Sequence, residues 1–139
     1  MKVFLDTNVI LDYYLDRDGA DIAEAIFAMG YGKSCELYVS ALTFSNMAYI
    51  TRRKFPGEQI YDVLNTLLEL SDITSVDNSA VRQAVALRAK DFEDAMQYYS
   101  ALSIEADCIV TSNIKDFPFS AIPVYTPDEF LDKLNRSVG

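Results

Sequence analysis

Asp6, Asp94 and Asp116 are carboxylates placed where apolar segments begin or end. Asp6 closes the apolar run of Val3, Phe4 and Leu5, and Val9, Ile10 and Leu11 follow almost at once. Asp94 opens a largely apolar segment holding Ala95, Ala101, Leu102 and Ile104, and Asp116 lies just past the apolar stretch CIVT. Strand ends and helix starts can converge at one edge of a sheet. No Lys or Arg occurs between Asp91 and Lys115, so the local sequence offers these acids no counter-charge. Converging carboxylates without a basic partner imply a divalent cation. The chain has no histidine, and oxygen-only ligands favour Mg²⁺ or Mn²⁺ over Zn²⁺. Such an ion would polarise a phosphodiester and activate water.

Each acid also has a plainer reading. Asp6 can simply cap the helix that follows it, which is a common use of Asp. Asp91 and Asp94 share a face if the helix reaches that far, while Glu93 points about 100° away; acids there would equally complement the helix dipole. Asn113 and Asp116 fit an ordinary turn. Thr7 and Asn8 either hydrogen-bond Asp6 or cap its helix. Ser112 and Lys115 are read as able to meet a phosphate from the last loop, with solvated surface an equal reading for Lys115. Asn46 is a polar residue in an otherwise apolar segment and a poor helix former, so it is expected to face the site. Arg52, Arg53 and Lys54 are the only tight basic cluster, read first as a favourable helix C-terminus and second as an RNA contact. Tyr98 and Tyr99 are read as packing or dimer residues. Asp12 and Asp16 have no evident basic partner and are read as solvated or close to the mouth of the site.

Composition narrows the setting. A chain of 139 residues, half of them hydrophobic, suits one domain over residues 1–139 with a real core. No run approaches the roughly 20 apolar residues needed to cross a bilayer, and no signal-peptide pattern opens the chain, so a cytoplasmic protein without membrane partners is expected. Cys35 and Cys108 are far apart and are expected to be free thiols. The net charge of -9 repels nucleic acid on average, so any such contact needs a local basic patch or bound cations.

The elements that must position these residues follow from periodicity. A buried strand is predicted at 2–5 and helices at about 7–15 and 20–30. A strand at 37–40 leads to a helix from Ala41 to about Lys54, capped by Ser40. After Pro56 and Gly57 a helix is predicted at 58–70, then a weak strand near 73–76. Helices at 79–89 and 92–105 come next, followed by strands at 108–111 and 122–125. TPDEFLDKL forms a final helix with a capping box of Thr126 and Glu129 and Pro127 in its first turn. Short apolar strands separated by helices indicate an α/β domain with a central parallel sheet. Open parallel sheets bind ligands beyond the carboxyl ends of their strands where strand order reverses, and Asp6 lies at such an end.

Four segments, FLDTNVILDYYLDR, YVSALTFSNMAY, DFEDAMQYYSA and CIVTSNIKDF, in that order, resemble the PIN domain, particularly its bacterial toxin–antitoxin group. The resemblance implies a three-layer α/β/α sandwich around a mainly parallel sheet of about five short strands. It also implies a Mg²⁺- or Mn²⁺-dependent endoribonuclease acting on single-stranded or loop RNA. A homodimer and a small antitoxin filling the active groove are implied as partners. Asp6, Asp94 and Asp116 match the family's acids one by one. Asn46 stands where the family usually has glutamate and Asn113 where it usually has aspartate. An amide offers a carbonyl oxygen but no charge, so metal affinity is expected to fall, with Asp91 offsetting the loss. Two other readings stand beside the nuclease. One is an inactive PIN-like module binding RNA or a protein; the other is a haloacid-dehalogenase-like phosphatase with Asp6 as nucleophile, although that class normally has an acid where this chain has Asn8.

Overall fold

The computed structural model describes residues 1–138. Five strands, β1 (Lys2–Leu5), β2 (Glu36–Ser40), β3 (Asp72–Thr74), β4 (Cys108–Val110) and β5 (Val124–Tyr125), form one sheet in the order β3-β2-β1-β4-β5. All four pairings are parallel. The helices are α1 (Thr7–Tyr14), α2 (Ala20–Tyr31), α3 (Ala41–Ile50), α4 (Gln59–Leu70), α5 (Asn78–Leu87), α6 (Phe92–Ser103) and α7 (Pro127–Val138), with a 3-10 turn at Ile114–Asp116.

Alternation along the strands builds the layers. Side chains on a strand point to opposite faces in turn. Val3, Leu5, Leu37, Val39, Cys108 and Val110 accordingly pack with α1, α2, α3, α4 and α7 in the larger core. Phe4 and Ile109 face the other way and pack with Tyr98 and Ala101 of α6 and with Phe117. α5 lies along α6 on that side. The central strands β1 and β4, covered on both faces, have no need of polar residues, which is why they read as short apolar runs. The α/β/α expectation holds, and the sheet is parallel throughout its described pairings.

Boundaries differ in instructive places. α3 stops at Ile50, not Lys54: the Thr51 hydroxyl donates to the Met47 carbonyl, and a side chain bonded back to the preceding turn competes with the helix ladder. Arg52 folds its guanidinium over Tyr49 at 4.1 Å, so part of the basic cluster is occupied locally. Lys54 pairs with Asp16 at 3.1 Å, and Arg17 lies 3.9 Å from Asp12. Both acids thus have the basic neighbours that the sequence did not reveal. Tyr98 is a packing residue, as read, with its hydroxyl accepting from the Ala121 N–H at 2.9 Å. Cys35 and Cys108 are free and buried. No described helix is long and apolar enough to cross a membrane.

Candidate active site

The strand order reverses about β1 and β4, and Asp6 follows the last residue of β1 at that edge. Its backbone N–H continues the ladder by donating to the Val110 carbonyl at 2.9 Å, so Asp6 and Thr111 are held side by side. Asp6 occupies the N-cap position of α1 without a capping hydrogen bond from its side chain. The Thr111 hydroxyl donates instead to Asp6 Oδ2 at 2.9 Å. The capping reading therefore explains its position but not its side chain.

Asp6 is 2% exposed. It lines a pocket of about 280 Å³ together with Thr7, Asn8, Leu11, Asn46, Ile50, Asp91, Glu93, Asp94, Gln97 and Asp116. At about 30 Å³ per liquid water, this space takes a hydrated ion and part of a phosphate. Five carboxylates and no lysine or arginine face it. Burial pushes the Asp6 carboxyl up to about 6, against the hydrogen bond from Thr111 and a contribution from the Thr7 N–H; the charges of Asp116 and Glu93 push it further up. Asp94 is pushed up to about 7, first by burial and then by Asp6, Asp91, Asp116 and Glu93. Burial and the mutual repulsion of neighbouring acids account for both shifts.

Asp94 sits in the first turn of α6, and Asp91 is that helix's N-cap, its Oδ1 accepting from the Asp94 N–H at 3.1 Å. The plain capping reading of Asp91 is therefore realised while the residue also lines the pocket. Glu93 departs from expectation: it faces the pocket and receives a hydrogen bond from Asn46 Nδ2. Thr7 is buried, within 2.8 Å of the Thr43 hydroxyl, and accepts from Gln97 Nε2 at 3.3 Å. α1, α3 and α6 are thereby tied together beneath the acids.

Two predicted site residues are placed outside the pocket lining. Ser112 donates to Asp12 Oδ2 at 2.8 Å. Asn113 caps the 3-10 turn, accepting from the Lys115 N–H at 3.2 Å, while its Nδ2 donates to Asp116 Oδ1 at 3.1 Å. Asn113 thus orients an acid that does line the pocket. Sequence reasoning missed Gln97, a polar residue within the apolar run of α6, and Thr111, which completes the apolar segment of β4, and it turned Glu93 the wrong way.

Among the described residues, no group of three or more His, Cys, Asp or Glu side chains is drawn together as a ready ion-holding set. The donor chemistry nevertheless suits a hard divalent cation: the polar lining is rich in carboxylate and amide oxygen, and the buried Oε1 of Gln97 has no hydrogen-bond partner. Like charges without a counter-ion repel one another, which opposes a tight carboxylate cage.

A family model for the PIN domain matches residues 2–115. The chain belongs to the PIN domain family, and the phosphatase reading falls away. Among solved structures, VapBC-1 from nontypeable Haemophilus influenzae aligns over 92% of this chain and 99% of that one, at 19% identity and a TM-score of 0.70. A toxin–antitoxin complex from Klebsiella pneumoniae aligns over 90% and 97%, at 20% identity and a TM-score of 0.69. Mycobacterium tuberculosis VapC20, described as a sarcin–ricin-loop-cleaving toxin, aligns over 87% and 98%, at 13% identity and a TM-score of 0.66. The fold is that of VapC-like PIN toxins. No curated protein matches the chain.

Proposed function

We propose that this protein is a divalent-metal-dependent endoribonuclease that hydrolyses RNA phosphodiester bonds, with Asp6, Asp94 and Asp116 as its central carboxylates. The observation that carries the proposal is the meeting of these three acids, from the end of β1, the first turn of α6 and the 3-10 turn after β4, in one pocket without a basic residue. RNA as substrate draws support from the similarity in fold to a toxin described as cleaving the sarcin–ricin loop.

Bound Mg²⁺ or Mn²⁺ would polarise the phosphoryl oxygen and make water a better nucleophile. The chain's own residues prepare that chemistry. Thr111 holds Asp6 Oδ2 in place, Asn113 holds Asp116 Oδ1, and the Asp94 N–H holds Asp91 Oδ1. With its carboxyl pushed up to about 7 by burial and the neighbouring acids, Asp94 would give up its proton when a cation binds. Asn8, Thr7 and Asn46 shape the mouth, while Ile50 and Leu11 give it apolar walls.

A small antitoxin protein is the proposed partner, since a toxin–antitoxin complex from Klebsiella pneumoniae shares this fold. A chain of charge -9 with an acidic groove suits a basic segment, and a homodimer completes the proposed assembly. The absence of a ready ion-holding set among the described residues favours one second reading, a module that binds RNA or protein without cleaving it.

The test is incubation of purified protein with structured and single-stranded RNA in Mn²⁺, with EDTA and Asp94→Asn as controls. Cleavage lost in both controls supports the nuclease. Equal background in all three, with the variant folded, selects the binding module.

A further inference from the structure

The carboxylate that the site reading leaves without a role is Glu93. It lies in the first turn of α6, next to Asp94, yet it is bound across the pocket by Nδ2 of Asn46 from α3. These residues are 47 positions apart, so the contact exists only in the finished fold. The bond engages Glu93 Oε1 alone. No described side-chain hydrogen bond commits Oε2, and no lysine or arginine lines the pocket to claim it. Asn46 spends its donor on the carboxylate. Its amide thereby fixes a negative charge it does not itself possess.

A second observation points independently to a ligand in the same pocket. Gln97 is 1% exposed, and its Nε2 is held by Thr7, which fixes the amide plane. Its Oε1 is left without a partner. A buried carbonyl oxygen in that state carries a desolvation cost unless a donor reaches it. Water in the hydration shell of a cation is such a donor. Asp6, Glu93, Asp94 and Gln97 all line the one space.

We propose that Glu93 is a cation-holding carboxylate of this site, and that Asn46 is its positioning residue, acting through the Nδ2 bond and not as a principal ligand. The proposal rests on the metal-dependent reading above. It predicts a pocket whose affinity follows the charge and placement of Glu93. Glu93→Gln keeps the shape and removes the charge; Asn46→Ala keeps the charge and releases its placement.

The experiment is Mn²⁺ titration of the full chain by calorimetry and by water-proton relaxation, with melting curves in EDTA establishing that each variant folds. Wild type, Glu93→Gln, Asn46→Ala, the double variant and Asp94→Asn are compared. Glu93→Gln should weaken Mn²⁺ binding about 10-fold or more, and Asn46→Ala should weaken it to a lesser extent. In the double variant Asn46→Ala should add nothing to Glu93→Gln, as expected for residues acting as a unit. Wild-type affinity in Glu93→Gln, with binding lost in Asp94→Asn, overturns the proposal while the metal site stands. Additive losses overturn the positioning role of Asn46. A wild-type chain that binds no Mn²⁺ overturns the metal-dependent reading itself.

Discussion

Thr111 Oγ1 donates to Asp6 Oδ2 at 2.9 Å, joining the residues that follow two neighbouring parallel strands. A buried carboxylate held by one neutral hydroxyl keeps its orientation without being neutralised. That suits a ligand better than a structural anchor, which would favour a full counter-charge.

Replacing that hydroxyl is the first prediction. Thr111→Val retains the β-branched shape and removes the hydrogen bond, which leaves the Asp6 carboxyl pushed higher still. The Mn²⁺ concentration giving half-maximal cleavage should rise about 10–100-fold, the usual cost of losing an outer partner of a metal ligand. An unchanged Mn²⁺ dependence would show that the hydroxyl serves packing alone.

The pH dependence of stability has a definite sign. Asp6 and Asp94 titrate at about 6 and about 7 in the fold, above the ordinary carboxylate range near 4. Their protonated forms are therefore favoured by folding, and this stabilisation is present below about pH 4 and lost as pH rises through 6 and 7. In EDTA the protein should thus lose stability between about pH 4 and pH 7 through these groups, and Asp94→Asn should flatten the profile. Mn²⁺ competes with the same protons, so its binding should tighten over that interval. Thermal melts at several pH values, with and without Mn²⁺, check both slopes.

Gly30 lies in α2 against Leu37 of β2, and a Cβ there would overlap the buried Leu37 side chain. Gly30→Ala should therefore destabilise by about 1–3 kcal/mol, reduced by the better helix propensity of Ala, roughly 1 kcal/mol. Denaturant midpoints will show the balance. A net gain in stability would mean that Leu37 can move aside.

Ser40 caps α3 by accepting from the Leu42 N–H at 3.0 Å, and Asp77 caps α5 by accepting from the Ala80 N–H at 2.9 Å. Each residue replaced by Ala should cost about 1 kcal/mol. Because α3 carries Asn46 and no residue of α5 lines the pocket, only Ser40→Ala should also weaken Mn²⁺ binding. Paired melting and binding measurements separate the two effects.

Much of this arrangement was legible in the sequence because it is local. Apolar runs announced β1 and β4, caps announced α3 and α7, and Asp6 and Asp116 could be placed at strand ends by counting. What escaped was long-range. The Asn46–Glu93 bond spans 47 residues and reverses the orientation expected for Glu93 from helix geometry alone. Gln97 looked like one polar interruption of an apolar helix, and only the docking of α6 on α1 gives it Thr7. Asn113 illustrates the converse: its type and position suggested a ligand, but local turn chemistry and Asp116 occupy both ends of its amide.

The acids that share the pocket are drawn from residue 6, from residues 91 to 94 and from residue 116, with Asn46 between. No contiguous fragment therefore carries the site. During synthesis, a nascent chain ending before α6 possesses only Asp6 and Asp91 of the five pocket carboxylates, and the repulsive charge cluster arises only when α6 and the turn after β4 dock. Chain order thus acts as a timer: α6, β4 and α7 complete the hydrophobic layers in the same late stretch of chain that delivers most of the acids, so core and charge cluster close together.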